Sequence, residues 1–309
     1  MNIAVVTDST CDLPSDILKK YNVFQAPVHI RIGMKDFLDD GESFNRDDFY
    51  RRFLNEKDID VETEPPTVQE FSDLYARLSA EYDYIISIHV ADSKSKIFKN
   101  ATEAAYSGKE RYRQLRQSVG KNGELLIRTI NSRTTSIALG LQIIRAVEIL
   151  QKSEKFGTKC MEIEEETSKS HLIFTLEDLY QMRNRATKTG RASVGFMQYV
   201  LGSALDIKPI IHLNTDEFET VDKARGFDNA IAQLTKQFDR LSAKKNIYNR
   251  VGLVYGGSIA EVLKQPDIKR KIDSLEAQGF EVIFSHLSPT LGVYAGPGCI
   301  GLAFLELVN

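Results

Sequence analysis

The sequence predicts a two-domain α/β protein: an N-terminal three-layer α/β/α domain on a parallel sheet, and a C-terminal two-layer α/β (α+β) domain with a mixed sheet. A chain of 309 residues exceeds one typical hydrophobic core. Strand-like apolar runs alternate with helix-like segments in the first half, as in a parallel sheet with helices on both faces. Strand-like runs become neighbours in the second half. We therefore predict one domain over residues 1–160 and another over residues 161–309.

The first half follows this alternation element by element. Asn2–Val6 is a short apolar strand, and the polar loop Thr7–Pro14 follows it. Pro14 suits the first turn of a helix, because its missing N–H would have no partner there in any case. Thr67 and Glu70 have the spacing of a capping box before a helix. Extended segments are expected at Val23–Ile32, Tyr84–His89 and Leu125–Ile130, and further helices at Ser95–Leu115 and Ile137–Leu150.

The second half has a different order of elements. Strands are expected at His171–Thr175, Ile207–Ile211, Glu217–Asp222, Val251–Tyr255, Glu281–Ser285 and Gly301–Val308. The predicted helix around Val194–Leu201 is apolar over much of its circumference, which indicates either core packing or a lipid-like ligand. Gly292–Gly298 is predicted to be a bent glycine-rich loop that lets the backbone approach another group closely.

Composition and charge exclude several classes of protein. The net charge is −3 and there is no basic block, so neither nucleic acid nor an anionic membrane surface is an expected partner. No signal-like stretch precedes the first strand, and no apolar run approaches the ~20 residues of a membrane-spanning helix, so we expect no stable membrane insertion. The three cysteines are far apart and odd in number, as expected of reduced thiols in the cytoplasm.

The sequence gives little support for catalysis. It contains no P-loop, no G-x-G-x-x-G turn and no G-x-S-x-G elbow. Its five histidines lack the spacing of a metal site, so neither a metal nor another cofactor is expected. Cys11 has Asp8 and Asp12 as neighbours, which disfavour a nucleophilic thiolate. These observations favour a binding protein over an enzyme.

Polar loops carry the remaining functional signal. Thr7–Pro14, Thr63–Thr67, Asp92–Lys96 and Asn131–Ser136 each lie beside a predicted strand end or helix start. In a doubly wound sheet such loops meet at the carboxyl edge, where ligands bind. Their hydroxyls, a lysine and the adjoining helix N-termini favour an anionic group such as a carboxylate. The alternative is that each loop only caps the helix that follows it.

Six segments, in this order and spacing, resemble the DegV family of bacterial fatty-acid-binding proteins over nearly the whole chain. They are Thr7–Pro14, Ser132–Gly140, Gly190–Arg191, Gly202–Ile211, Ala224–Gly226 and Gly296–Gly298. The resemblance implies that one long-chain fatty acid lies in an apolar tunnel with its carboxylate held by polar loops. It also implies that the chain is not catalytic and presents the carboxylate to a separate ATP-dependent fatty acid kinase, which forms an acyl phosphate for phospholipid synthesis.

The resemblance assigns roles to residues by position. Thr63 falls on the threonine of the family's T-S-Q-P-S loop and Ser95 on the serine of its L-S-G-T-Y loop, which implies that both hold the carboxylate. Arg191 falls on the arginine of the G-G-R motif and is expected near the kinase-docking face or the ligand entrance. Phe196 and Met197 belong to the apolar helix, which would then line the site of the ligand's tail.

Three further expected ligand contacts depart from the family's pattern. Lys96 and Ile97 stand where glycine and threonine are usual, and Tyr294 stands where histidine is usual. Tyr294 keeps a hydroxyl donor and Lys96 supplies a positive charge. The departures leave two alternatives open. One is a diverged module of this fold that binds another amphiphile or a protein partner, and the other is an enzyme or kinase subunit related to the dihydroxyacetone kinase fold.

Overall fold

The computed structural model describes residues 2–41, 46–54, 60–182 and 206–307. The strands are β1 (Ile3–Asp8), β2 (Val23–Ala26), β3 (His29–Ile32), β4 (Lys35–Leu38), β5 (Val61–Glu64), β6 (Tyr84–His89), β7 (Leu126–Asn131), β8 (Ser170–Thr175), β9 (Ile207–Asn214), β10 (Glu217–Arg225), β11 (Ile247–Tyr255), β12 (Glu281–His286) and β13 (Ile300–Glu306). The helices are α1 (Ser15–Lys20), α2 (Arg46–Phe49), α3 (Val68–Ser79), α4 (Ile97–Ser107), α5 (Lys109–Ser118), α6 (Ser136–Leu150), α7 (Phe156–Thr167), α8 (Phe227–Ser242), α9 (Ile259–Val262), α10 (Pro266–Ala277) and α11 (Pro289–Ala295).

Two large sheets organise the chain. The first is parallel, with the strand order β2-β1-β6-β7, and Val5 of β1 lies between Val23 and Ile86. The second has the order β10-β9-β8-β13-β11-β12, in which β11 and β12 are parallel and the other neighbours are antiparallel. Three further strands form an antiparallel sheet with the order β4-β3-β5, which we call the small sheet. The predicted α/β class, with a parallel sheet followed by a mixed one, is therefore confirmed.

Helices form the outer layers of this arrangement. α3, α4 and α5 pack together beside the first sheet, and α6 packs against α7. α3 begins with the predicted capping box: the Glu70 N–H donates to Thr67 Oγ1 at 3.1 Å, and the Thr67 N–H donates to the Glu70 carboxylate at 2.7 Å. α8 and α10 pack together and cover the second sheet. The helices form these layers because each of them buries an apolar face against a sheet or another helix.

Helix α6 joins the two sheets. It contacts β1 of the first sheet and β8, β11 and β13 of the second, and most of its side chains are buried. Gly140 lies against the turn that follows β1, where a Cβ atom would come within 2.6 Å of the Cys11 carbonyl oxygen. A helix that is apolar on nearly all sides is buried between layers. The predicted boundary between residues 160 and 161 falls inside α7 and stays a prediction.

Two local predictions about helices were wrong. The segment predicted as one helix over Ser95–Leu115 forms two helices, α4 and α5, joined at Gly108. Glycine is a poor helix former, and at this junction the Tyr112 hydroxyl donates to the Ala104 carbonyl at 2.8 Å. Val23–Ile32 is extended as predicted and forms two strands, β2 in the first sheet and β3 in the small one. Pro27, which cannot donate a ladder hydrogen bond, lies between them.

The second wrong prediction concerns Gly292–Gly298, because residues up to Ala295 belong to helix α11. Ser288 caps this helix by accepting from the Leu291 N–H at 3.4 Å, and Pro289 occupies its first turn. The glycines that follow made this segment resemble a loop, so the capping signal of Ser288 and Pro289 was overlooked in the sequence. Within the described ranges, no helix is both long enough and apolar enough to cross a membrane.

Candidate functional site

Thr63 and Tyr294 meet at the protein surface. Thr63 lies in β5, opposite Ile30 of β3, and was wrongly predicted to lie in a loop. Tyr294 lies near the end of α11 and is 43% exposed. The Thr63 Oγ1 and Tyr294 hydroxyl oxygens are 2.9 Å apart, and either can be the donor. The structure thus joins two of the predicted ligand contacts, which are 231 residues apart in the chain.

The loop with Ser95 and Lys96 borders the segment that follows Thr63. The Asn100 side chain, in the first turn of α4, donates to the Pro66 carbonyl at 2.8 Å. Ser95 Oγ accepts from the Ile97 N–H at 3.3 Å. The Lys96 side chain is exposed, whereas Ile97 is 2% exposed and belongs to the hydrophobic core. Ser95 and Lys96 therefore lie at the start of α4, and Ile97 packs beneath them.

The same loop is attached to the hairpin of β9 and β10. Ser93 Oγ donates to the Asp216 carboxylate at 2.8 Å, and Lys94 Nζ donates to the Asp216 carbonyl at 2.7 Å. The Lys94 ammonium also lies 4.2 Å from the centre of the Phe218 ring. Burial lowers the pKa of Lys94. Lys94 thus fixes the loop to the second sheet.

The first polar loop does not open to solvent. Asp8 accepts four hydrogen bonds: from the N–H and hydroxyl of Thr10 at 3.0 and 2.6 Å, from His89 Nδ1 at 3.0 Å and from the Val90 N–H at 3.1 Å. A carboxylate only accepts, so His89 donates through Nδ1. The expectation that Thr7–Pro14 offers side chains to a ligand at the sheet edge finds no support, because Thr7 to Leu13 are buried.

His89 extends this cluster into the first sheet. Its Nε2 atom lies 2.7 Å from Ser87 Oγ, which in turn lies 2.8 Å from the Tyr75 hydroxyl. The order Ser87–His89–Asp8 has the connectivity of a serine-hydrolase triad. All three residues are 0% exposed, so no substrate reaches the serine. We therefore assign this cluster a structural role.

Asp12 ties three parts of the chain together. Its carboxylate accepts from the Ser136 hydroxyl at 2.5 Å and from the Ser288 N–H at 2.8 Å. Burial raises the pKa of Asp12 to about 7 against these donors, which lower it. Cys11, beside it, is buried, and burial together with Asp8 and Asp12 raises the pKa of its thiol to about 12. Such a thiol is a poor nucleophile, in agreement with the prediction.

A cavity of about 840 Å³ is lined in part by Tyr50. Its lining is largely polar and includes Glu177, Asp206, Lys208 and the Gly256–Ser258 turn. This lining does not suit an aliphatic chain, so the apolar tunnel implied by the resemblance stays a prediction. Arg191, Phe196 and Met197, which were expected at the entrance and along the tail site, lie outside the described residues.

Comparison with known proteins identifies the family. The sequence profile of the DegV family, described as uncharacterised proteins, matches residues 2–307. A DegV domain-containing protein of Xanthomonas campestris is 30% identical over 305 residues, which cover 98% of this chain and 97% of the relative. The chain belongs to the DegV family. The Bacillus subtilis protein DegV is 24% identical over 98% of this chain and 99% of its own length.

Solved structures of DegV proteins share the fold. One from Thermus thermophilus, described for its fatty acid binding, has a TM-score of 0.79 at 21% identity and covers 99% of this chain and 100% of its own. A stearic-acid-binding protein from Eubacterium ventriosum has a TM-score of 0.79 at 19% identity, with 98% of each chain covered. At sequence identities this low, the similarity to these structures establishes the fold of this chain and nothing more.

Sequence reasoning missed the buried groups behind Tyr294, above all Asp39 and Tyr50. Asp39 is buried and accepts from the N–H and hydroxyl of Thr290. Tyr50 is also buried, and its hydroxyl donates to the Leu287 carbonyl at 2.9 Å. Both partners lie more than 200 residues away, so no local pattern indicated them.

Proposed function

We propose that this protein is a cytoplasmic, non-catalytic carrier of a long-chain fatty acid, whose carboxylate is received by Thr63 and Tyr294. The observation that carries the proposal is the contact between these two hydroxyls at the surface, 2.9 Å apart. Membership of the DegV family supports it, as do the relatives of the same fold that are described as binding fatty acids or stearic acid.

The chemistry of the pair suits a carboxylate. In the absence of ligand one hydroxyl donates to the other, so one proton bridges two oxygens. A carboxylate brings acceptors for both protons, and each neutral hydrogen bond is replaced by a stronger, charge-assisted one. Ser95 supplies a third hydroxyl at the start of α4, and Lys96 a positive charge beside it. The hydrogen bond between the two hydroxyls is lost, but the anion receives more and stronger hydrogen bonds in its place.

The aliphatic tail provides most of the affinity. Burial of roughly 14 methylenes at about 0.8 kcal/mol each amounts to about 11 kcal/mol before the costs of ordering. The carboxylate contacts then fix the orientation of the ligand more than they add to its affinity. Phe196 and Met197 are proposed to line the tail site, together with Ile97.

The finer part of the proposal is a kinase partner. The carboxylate would be presented to a separate fatty acid kinase, with Arg191 near the docking face or the ligand entrance. An exposed carboxylate site supports this, because phosphoryl transfer by a second protein needs access to the acid. Formation of acyl phosphate from a mixture of this protein, a fatty acid kinase and ATP tests it, and Arg191→Ala is expected to slow that reaction.

The first experiment is to extract the purified protein with organic solvent and identify bound lipid by mass spectrometry. We expect near-stoichiometric long-chain fatty acid in the wild type. Thr63→Ala, Ser95→Ala and Tyr294→Phe should each retain less, by roughly tenfold for the loss of one charge-assisted bond, and should still fold. Thr220→Ala, which alters a half-buried strand threonine of the second sheet, and Tyr106→Phe are the matched controls.

Two results would overturn the proposal. Wild-type retention in all three variants would remove Thr63, Ser95 and Tyr294 from the site. An extract without fatty acid, together with no uptake of added stearate, would overturn fatty acid binding itself. In that event a different amphiphile in the extract, or a protein captured without a kinase, would identify the diverged binding module as the better description.

A further inference from the structure

Asp39 accepts hydrogen bonds from the start of α11, the helix that carries Tyr294. Its Oδ2 atom accepts from the Thr290 N–H at 3.1 Å and from the Thr290 hydroxyl. Asp39 and Thr290 are both buried. Thr290 and Tyr294 are four residues apart in α11, so their side chains lie on the same face of the helix. The contact at Thr290 therefore sets the rotation of α11 about its axis, and with it the direction of the Tyr294 hydroxyl.

Asp39 also belongs to the structural unit that carries Thr63. It follows β4 directly, and its N–H donates to the Val28 carbonyl just before β3 at 2.8 Å. Thr63 lies in β5, which pairs with the other edge of β3. The small sheet thus presents both Asp39 and Thr63 to α11. One face of α11 therefore makes two contacts one helical turn apart. Thr290 contacts Asp39, which follows β4, and Tyr294 contacts Thr63 in β5.

Two further side chains hold the segment before α11. The Tyr50 hydroxyl donates to the Leu287 carbonyl at 2.9 Å, and Arg46 donates to the His286 carbonyl at 3.2 Å. The Tyr50 ring lies against Gly292, where a Cβ atom would come within 2.5 Å of its hydroxyl. These contacts fix the position of the helix, whereas the contact from Asp39 fixes its rotation.

Asp39 is poorly placed for a purely stabilising role. Burial raises the pKa of its carboxyl, against Arg46 and Thr290, which lower it. Its Oδ1 atom lies 3.9 Å from the Arg46 guanidinium and has no hydrogen-bond partner among the described residues. Burying a carboxylate costs desolvation free energy that an apolar side chain of similar size would not.

We propose that Asp39 is a positioning residue for the Thr63–Tyr294 site, acting through Thr290 to aim the Tyr294 hydroxyl at Thr63. Its effect on ligand retention rests on the proposed function, but its effect on Tyr294 does not. Thr290→Val is the variant of choice, because it removes the hydroxyl donor with little change of shape. Thr290→Ser restores the donor, and Thr235→Val removes a comparably buried threonine hydroxyl far from the site, on α8.

The test is ¹⁹F NMR of protein labelled with 3-fluorotyrosine. The Tyr294 resonance is assigned by its absence from Tyr294→Phe, and its position without the hydrogen bond to Thr63 is defined by Thr63→Val. We expect Thr290→Val to move this resonance towards its position in Thr63→Val. Thr290→Ser should return it to the wild-type position, and Thr235→Val should not move it. A folded Thr290→Val protein with an unmoved resonance would overturn the proposal, since a merely structural contact changes stability alone.

Stearate retention is the second readout. It should fall at least tenfold in Thr290→Val and recover in Thr290→Ser, while Thr235→Val stays at the wild-type level. Unchanged retention in Thr290→Val would overturn the role of Asp39 in the ligand site. A wild type that takes up no stearate would instead overturn the proposed function, and the NMR result would still decide whether Asp39 positions Tyr294.

Discussion

The Ser87–His89–Asp8 cluster and the Thr63–Tyr294 pair present opposite cases of polar chemistry in one protein. The cluster has the residues and the connectivity of a hydrolase triad, and all three of its residues are 0% exposed. The pair has two hydroxyls with neither a base nor a nucleophile of unusual strength, and it reaches the surface. Accessibility, more than residue type, separates the candidate site from the structural cluster.

The two regions also differ in whether their hydrogen-bond partners can be exchanged for water or a ligand. Each polar group of the cluster is bonded to another protein group, and the loss of one buried partner leaves the rest without hydrogen bonds. The surface pair can exchange its mutual hydrogen bond for bonds to water or to a ligand at little cost. Removing a member of the cluster should therefore cost stability, whereas removing a member of the pair should cost binding.

Asp8→Ala should have the largest effect on stability. It leaves the two donors of Thr10, the Val90 N–H and His89 Nδ1 buried without their acceptor, which should cost about 3–5 kcal/mol of unfolding free energy. Asp36→Ala is the matched control, because Asp36 accepts from Arg31 at 3.0 Å at an exposed position, where such a pair contributes about 0–1 kcal/mol. Urea unfolding measures both. Equal losses would contradict the distinction between the regions.

Asp12→Asn should change how stability depends on pH. Burial raises the pKa of Asp12 from 3.8 to about 7, so the folded state favours the protonated carboxyl. The stability that this proton provides is complete below pH 3.8 and is lost as the pH rises to about 7. A rise of about three pH units at 1.36 kcal/mol each sets an upper bound of about 4 kcal/mol.

Asparagine does not titrate, and it keeps both contacts, since its oxygen accepts from the Ser288 N–H and its amide donates to Ser136. The variant should therefore gain stability relative to the wild type between pH 4.5 and 7.5. Urea unfolding across this range measures the gain, and Asp16→Asn, which removes an exposed carboxylate, controls for net charge. A constant difference between Asp12→Asn and the wild type would show that Asp12 does not titrate in this range.

The sequence indicated those features whose causes are local. The buried strands β1 and β6 and the capping box of α3 follow from residues within one element, and the structure contains all three. β1 continues to Asp8, two residues into the segment predicted as a loop. Strand β5 was missed because its extended form depends on pairing with β3, some thirty residues earlier. Thr63 and Tyr294 were chosen by position in a family pattern. Asp39 was missed because its hydrogen-bond partner, Thr290, lies 251 residues away in the sequence.

The smallest expected effect is the energetic coupling between Thr63 and Tyr294 in the ligand-free protein. A double-mutant cycle of Thr63→Val and Tyr294→Phe should give a coupling of about 0.5–1.5 kcal/mol, the usual net value of one hydrogen bond. Urea unfolding provides the four free energies. Tyr106→Phe combined with Thr63→Val is the control pair and should show none.

Stearate should abolish this coupling if the two hydroxyls turn to the carboxylate. In the complex each hydroxyl donates to the ligand independently, so unfolding at saturating stearate should show no residual pair term. The effects of the two substitutions on stearate binding should then depart from additivity by the coupling that is lost. A coupling that persists unchanged would mean that the hydroxyls stay bonded to each other and that the ligand binds elsewhere. The contact would then be structural, like the buried cluster, and exposure alone would not have identified the site.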